Sequence, residues 1–246
     1  MKHFLFLSIF ILFFSCSYAQ RRETSDYSNI ITTKKIILKY QDDEADSLMI
    51  PVVSDKYPEL KKALCDTNLF FGDNLDTIIQ RYQREKRGHI FFSYNVTFVN
   101  NDVISLKTYY EMTGDDTDGA QQWLTLNIHT GKTYPIYKEI SPEGLKWLYT
   151  NYKELLKKRI LDDENKIDKE KIKENYTDIY NGLMEAADTL TSDQLLRTYV
   201  FTDKGIWFTT ENILSDDVKN FEPEREWFVK YDKLKPYILA GAIVLK

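Results

Sequence analysis

The segment Gly114–Gly119, with the sequence GDDTDG, is the densest cluster of metal-binding side chains in the sequence. Asp115, Asp116 and Asp118 carry the carboxylate oxygens that Ca²⁺ prefers. An EF-hand loop aligned on Asp116 and Asp118 would end at Thr125, where that motif needs a bidentate Glu. The segment is therefore not an EF-hand. We interpret it as a polar hairpin tip belonging to a binding surface, with an irregular Ca²⁺ site as the alternative, and we predict no resident metal or cofactor.

Aromatic side chains are the second group with binding chemistry. The sequence has four tryptophans, of which Trp123 and Trp207 lie in predicted strands. Exposed rings of this kind stack on sugars or fill protein interfaces, whereas buried rings fill the core. We take Trp123 and Trp207, together with the three aspartates, as the candidate binding residues.

Histidine and cysteine offer little catalytic chemistry in this sequence. Beyond the N-terminal segment the histidines are His89 and His129, and neither has a neighbouring cysteine, histidine or serine in a nucleophile motif. Cys65 precedes Asp66, whose negative charge disfavours a reactive thiolate. No catalytic residue is assigned, and the residues favour a binding protein over an enzyme.

Three acidic residues leave one catalytic alternative open. Glu222, Glu224 and Glu226 alternate just before a predicted strand. A pair of carboxylates flanking a glycosidic bond is the usual machinery of glycoside hydrolysis. Solvent-facing charge explains the same pattern, so a hydrolase directed at the cell wall is the rival interpretation.

The N-terminal segment predicts export. Lys2 is followed by the apolar run Phe4–Phe14, and small residues at Ser17 and Ala19 form a cleavage site, as in a secretory signal peptide. We therefore predict a signal peptide over 1–19 and an exported product, periplasmic or extracellular, that begins at Gln20. Cys16 also fits a lipoprotein box, so a lipid-anchored envelope protein is the alternative.

The net charge and the cysteine count of the chain limit the classes of partner and the covalent cross-links that we expect. Removing residues 1–19 leaves 227 residues, and loss of Lys2 changes the formal charge from −5 to −6. Nucleic acids demand a basic surface, so they are excluded as partners. The apolar run is shorter than the roughly 20 residues of a membrane span, so no transmembrane segment is expected in the mature chain. Cys65 is then the single remaining cysteine, which excludes an intramolecular disulfide.

The hydrophobic periodicity predicts one α+β domain over 33–246, preceded by a flexible tether over 20–32. Alternating apolar residues predict consecutive strands over 89–99, 103–112 and 122–129. Helical spacing predicts helices over 57–64, 74–86, 142–160 and 169–190. A late hairpin over 198–210 and a strand over 225–231 follow. We expect an antiparallel sheet, a meander plus the hairpin, packed on one face by helices. Two halves, 33–132 and 133–246, are the alternative to a single domain, and the charged segment 162–171 is interpreted as an insertion or a boundary.

Three pieces of the C-terminal part resemble one family. They are ISLKTYYEMTG followed by LTLNIHTGK, then FTDKGIWF, and finally WFVKYDKLKPYI. They are similar to the exported bacterial domain found in RsiV-type anti-sigma factor ectodomains and beside the catalytic domain of PdaC-type peptidoglycan deacetylases. The family loop Thr-Gly-Gly-Ala-His is changed here, because Gln121 stands where the histidine would be. The resemblance implies an exported domain of largely unknown function.

These observations favour an exported, non-catalytic binding or sensing module at the bacterial cell envelope, whose ligand is a protein or a cell-wall glycan. A hydrolase and a structural envelope protein remain the alternatives.

Overall fold

The computed structural model describes residues 27–39, 45–85, 90–113, 117–166, 175–210 and 223–245. The strands are β1 (Ile31–Lys39), β2 (Ala45–Val53), β3 (Ile90–Val99), β4 (Val103–Thr113), β5 (Thr117–Asn127), β6 (Thr198–Phe201), β7 (Gly205–Thr209) and β8 (Trp227–Lys230). The helices are α1 (Pro58–Ala63), α2 (Asp66–Leu69), α3 (Leu75–Glu85), α4 (Pro142–Lys166), α5 (Asn175–Thr189), α6 (Ser192–Leu196) and α7 (Tyr231–Leu234). Short 3₁₀ helices lie at Ile136–Lys138 and Lys235–Tyr237.

The described residues form the expected α+β fold, with two sheets. The larger sheet has the order β1-β2-β3-β4-β5, and the smaller has the order β6-β7-β8. The meander β3-β4-β5 is antiparallel in sequential order, which confirms that prediction. The late hairpin β6-β7 also forms, but it pairs with β8 instead of extending the meander.

Strand β2 was not predicted from the sequence. It is antiparallel to β1 and meets β3 in parallel at Leu48 and Phe92. Pro51, which argues against a central strand, lies beyond the single pairing with β3. Helices α1–α3 provide the long crossover that a parallel connection requires.

The helices lie against the sheets in two groups. Helices α1–α3 share a hydrophobic core with the larger sheet, including Leu60, Ile78 and Phe92. Helices α4 and α6 share a second core with the smaller sheet, including Leu148 and Phe208. Helix α5 packs on α4 through a third, smaller cluster. No helix among the described residues is both long enough and apolar enough to cross a membrane.

Three hydroxyl groups join the two sheets. The Thr97 hydroxyl donates to the carbonyl of Phe201 at 2.7 Å, and the Thr125 hydroxyl donates to the carbonyl of Tyr199 at 2.7 Å. Ser105 Oγ accepts from the Phe201 N–H at 3.2 Å. Strand β6 is an edge strand, so these side chains of β3, β4 and β5 take the place of a missing strand partner.

The N-terminal boundary of the fold lies within the range predicted as a tether. Tyr27–Ile30 form a turn, and Ile31 begins β1 with 1% of its surface exposed. The predicted signal peptide, Cys16 and Gln20 lie outside the described residues.

Candidate binding cleft

The candidate residues from the sequence fall in different environments. Asp115 and Asp116 lie outside the described residues, and Asp118 is in β5 opposite Met112. Trp123 is buried, with 7% of its surface exposed, whereas Trp207 in β7 is half-buried. The structure brings the two tryptophans together around one lysine side chain.

A cleft of about 960 Å³ lies between the two sheets. One wall is β5 from Gly119 to Leu124, with Tyr109 of β4 beside it. The other wall includes Thr198, Thr209 and Arg225, which belong to β6, β7 and the segment before β8. The cleft exists because β6 crosses the larger sheet and is held there by hydrogen bonds to the hydroxyl groups of Thr97, Ser105 and Thr125.

Tyr109 supplies an exposed aromatic ring to the cleft. Its side chain and that of Phe91 are each 40% exposed, and their ring centroids are 5.9 Å apart. The Tyr109 hydroxyl donates a hydrogen bond to Glu111, and this bond is the main reason that the pKa of the tyrosine is raised. The ring is therefore neutral and available for stacking contacts.

Lys107 occupies a cage formed by the two tryptophans. Its Nζ lies 3.4 Å from the ring centroid of Trp123 and 5.2 Å from that of Trp207. The carboxylate of Glu226 is 3.7 Å away. Burial lowers the pKa of Lys107, and the attraction of Glu226 opposes that change. The indole faces stabilise the ammonium group through cation–π contacts. The two tryptophan rings therefore already contact Lys107 of the same chain.

Arginine and tyrosine side chains fix the wall that carries Arg225. Arg159 of α4 donates from Nη1 to the backbone carbonyls of Glu224 and Glu226. The Tyr152 hydroxyl donates to the carbonyl of Arg225, and Arg225 Nη1 donates to the carbonyl of Thr210 at 3.0 Å. These contacts anchor the segment that leads into β8 against α4.

Two of the acidic residues considered for the hydrolase alternative form ion pairs with basic side chains. The Glu224 carboxylate lies 3.4 Å from Arg159 Nη2, and Glu226 pairs with Lys107. Glu222 lies outside the described residues.

The histidines and the cysteine are not part of the described lining of the cleft. His129 is exposed on the turn after β5, where its Nε2 lies 3.0 Å from the carbonyl oxygen of Asn101. Cys65 is half-buried, with its sulfur 3.3 Å from the Thr67 hydroxyl. His89 lies outside the described residues. In the described ranges, no group of three or more His, Cys, Asp or Glu side chains is arranged to hold a metal ion.

Trp123, which lines the cleft, was named as a candidate from the sequence, whereas Lys107, Tyr109 and Arg225 were not. The missed signal is the second face of β4, where Ser105, Lys107, Tyr109 and Glu111 alternate with the core residues. The polar face of an antiparallel strand is usually solvated, but here β6 packs across it and its Phe201 N–H donates to Ser105 Oγ.

Comparisons with known proteins return solved structures alone, since no family model and no curated protein matches the chain. One neighbour is a DUF3298 family protein from Pseudomonas aeruginosa PAO1, with a TM-score of 0.48 and 11% identity, covering 86% of this chain and 95% of that chain. Another is a member of the same family from Bacteroides fragilis NCTC 9343, with a TM-score of 0.42 and 12% identity, covering 86% and 93% respectively. These two neighbours belong to an uncharacterised domain family, and they assign no activity or ligand to this chain.

Proposed function

We propose that this chain is an exported binding or sensing module of the bacterial cell envelope that holds a protein or a cell-wall glycan in the cleft between its sheets. The lining of the cleft carries the proposal. Tyr109, Gln121 and Thr209 supply an aromatic ring, an amide and a hydroxyl, and Arg225 adds a guanidinium. Such groups recognise a ligand by stacking and hydrogen bonding.

The engagement of the glutamates supports binding over hydrolysis. A glycosidase needs one carboxyl group as a general acid and a second as a base or nucleophile across the scissile bond. Here Glu224 and Glu226 pair with Arg159 and Lys107, and their backbone carbonyls are held by Arg159. Their contacts position the wall of the cleft.

Export rests on the N-terminal pattern, and intact-mass measurement of the exported protein tests it. A mass corresponding to a chain that starts at Gln20 is the expected result. A lipidated N-terminal Cys16 would replace the free exported form with the lipid-anchored alternative.

The cleft is tested by equilibrium binding to a panel of purified peptidoglycan, simpler glycans and basic envelope proteins. We expect Tyr109→Ala to weaken binding at least tenfold, because truncating an aromatic hot-spot residue costs about 2 kcal/mol or more. Tyr137→Ala is the matched control, since Tyr137 is 63% exposed and lies outside the cleft lining. Equal affinities of the two variants for every bound panel member would refute the cleft as the binding site.

A further inference from the structure

We propose that the occupant of the cleft is an extended peptide segment of a partner protein, which pairs with the outer edge of β5 as a sixth strand of the larger sheet. This inference rests on the proposed function and selects the protein from its two ligand classes. The outward backbone groups of Gln121 and Trp123 would provide the hydrogen bonds.

The direction of those backbone groups follows from the end of β5. The N–H of Asn127 donates to the carbonyl of Lys132 at 2.9 Å, and the carbonyl of Thr125 accepts from the N–H of Tyr134 at 2.8 Å. Residues 125 and 127 therefore point away from β4. Because backbone groups alternate along a strand, Trp123, Gln121 and Gly119 point the same way.

The cleft lies along this same edge. Six consecutive residues, Gly119–Leu124, line it. Consecutive residues of a strand point to opposite faces of the sheet, so a cavity that touches all of them follows the strand edge. Within the described ranges, no backbone group is hydrogen-bonded to the outward N–H or C=O of Gln121 or Trp123.

The chain itself begins the ladder that the peptide would continue. Thr133 forms an isolated antiparallel bridge with Leu126, and this pairing stops at Tyr134 because Pro135 follows. Beyond it, the edge from Gly119 to Trp123 offers about 16 Å of strand at roughly 3.3 Å per residue. A peptide of five or more extended residues would fill that length.

The opposite edge of the sheet carries protection that β5 lacks. Exposed edge strands are commonly blunted by lysine or proline, which discourages pairing with another chain. The edge strand β1 contains Lys34, Lys35 and Lys39, whereas the sequence of β5, TDGAQQWLTLN, contains no lysine, arginine or proline. The cleft therefore borders the edge strand that lacks lysine, arginine and proline.

The chemistry of the occupant follows from this geometry. Main-chain hydrogen bonds supply affinity in strand addition, and alternate side chains supply selectivity. On the Tyr109 side the peptide would present an apolar or aromatic residue to the exposed ring, and it would lack proline at the paired positions.

The test selects peptides from a random 12-residue display library against the intact protein and measures their affinity for two proline variants. Gln121→Pro removes an outward N–H from β5 without touching the ladder to β4. Ile37→Pro is the matched control, because Ile37 is 57% exposed and its N–H points outward from β1, as the bond from the Ser54 N–H to the Ile30 carbonyl shows. We expect Gln121→Pro to weaken binding about tenfold or more and Ile37→Pro to leave it unchanged.

Amide hydrogen exchange of the wild-type protein keeps the test decisive even if Gln121→Pro fails to fold. Bound peptide should slow exchange at Gln121 and Trp123. Unchanged exchange there, or equal peptide affinity of a folded Gln121→Pro variant, would overturn the sixth-strand inference.

Two other occupants give distinct results. Chitotetraose binding that is lost in Tyr109→Ala, with no peptide selected, would make the occupant a glycan; the inference would fail and the proposed function would stand. A dimer of this chain that Gln121→Pro dissociates would replace the partner peptide with a second copy. If neither peptide nor any panel member binds, both the inference and the proposed function fail.

Discussion

At the residue scale, one buried carboxylate holds the end of the chain in place. Glu139 has no exposed surface and accepts a hydrogen bond from the Tyr134 hydroxyl at 2.5 Å. It also accepts from the backbone N–H groups of Ile243, Val244 and Leu245, each at 3.0 Å. No local sequence pattern marks Glu139, because three of its four donors come from residues 243–245 and depend on how the chain folds back.

We predict that Glu139→Gln lowers the free energy of unfolding by about 3 kcal/mol. The amide would turn an NH₂ group toward backbone donors and lose charge-assisted hydrogen bonds worth about 1.5–3 kcal/mol each. Urea unfolding measures the change. Glu154→Gln, on the exposed face of α4, is the control and should stay within about 0.5 kcal/mol of wild type. Equal effects of the two substitutions would contradict this role of Glu139.

Lys107 gives a prediction about pH. Burial lowers its pKa and Glu226 raises it, so Glu226→Gln should lower the pKa further. NMR titration of the Lys107 side chain measures both values. Because the pKa of Lys107 is lower in the folded than in the unfolded protein, the protonated lysine lowers the free energy of unfolding at pH values below its folded pKa. This destabilisation disappears as the pH rises from the folded pKa to the unfolded value near 10.5. A higher lysine pKa in Glu226→Gln would show that the carboxylate does not stabilise the ammonium.

At the scale of elements, the hydroxyl groups that receive β6 define the cleft. Ser105 and Thr125 are both buried, and their side-chain oxygens are 2.9 Å apart. Since the Thr125 hydroxyl donates to Tyr199, the hydroxyl of Ser105 donates to Thr125. Small polar residues inside strands thus determine where the second sheet crosses the first.

Thr125→Val should cost about 1–3 kcal/mol of stability and weaken ligand binding in the cleft. Valine keeps the shape but leaves the Tyr199 carbonyl without its donor, and an unsatisfied buried acceptor costs about that much. Thermal and urea unfolding measure the loss, with the exposed Thr133→Val as control. A Thr125→Val protein as stable as the control would mean that β6 is held by apolar packing alone.

Two glycines should respond to alanine with opposite signs. Gly131 has a φ of +64°, and an added Cβ would lie 2.3 Å from the Glu59 carbonyl oxygen of α1. Gly131→Ala should therefore cost more than about 2 kcal/mol, through left-handed backbone strain and the clash. Gly182 is exposed on α5 with open space around it, so Gly182→Ala should raise the free energy of unfolding by about 1 kcal/mol. Differential scanning calorimetry compares them; the same sign for both would be inconsistent with the geometry.

Several elements were predictable because their periodicity is local. Strand β4 alternates apolar residues from Ile104 to Met112, and α3 repeats them from Leu75 to Tyr82 at helical spacing. Strand β2 was missed because its acidic start and Pro51 are typical of loops, and its pairing depends on β1 and β3. The split into two sheets was also missed, because nothing in the local sequence indicates that the hydroxyl groups of Ser105 and Thr125 form hydrogen bonds with β6.

At the scale of the whole molecule, the candidate cleft lies where the two sheets meet. The larger sheet supplies Tyr109 and Gln121, and the elements around the smaller sheet supply Thr209 and Arg225. These residues are far apart in the sequence and carry no shared motif. The sequence could therefore predict candidate rings such as Trp123, but the cleft itself required the packing of β6 across β4 and β5.

The net charge of the molecule bears on its partners at this scale. The full chain carries a formal charge of −5, so association with a basic partner should be faster at low ionic strength.

The most direct test of the binding account is mass spectrometry of ligands recovered after prolonged incubation with the wild-type protein. Each panel member that binds should be recovered with its mass unchanged, because the proposed function is binding without chemical change of the ligand. Folded Glu224→Gln and Glu226→Gln variants serve as references. Cleavage products formed by the wild type and abolished in either variant would contradict the account and establish a hydrolase.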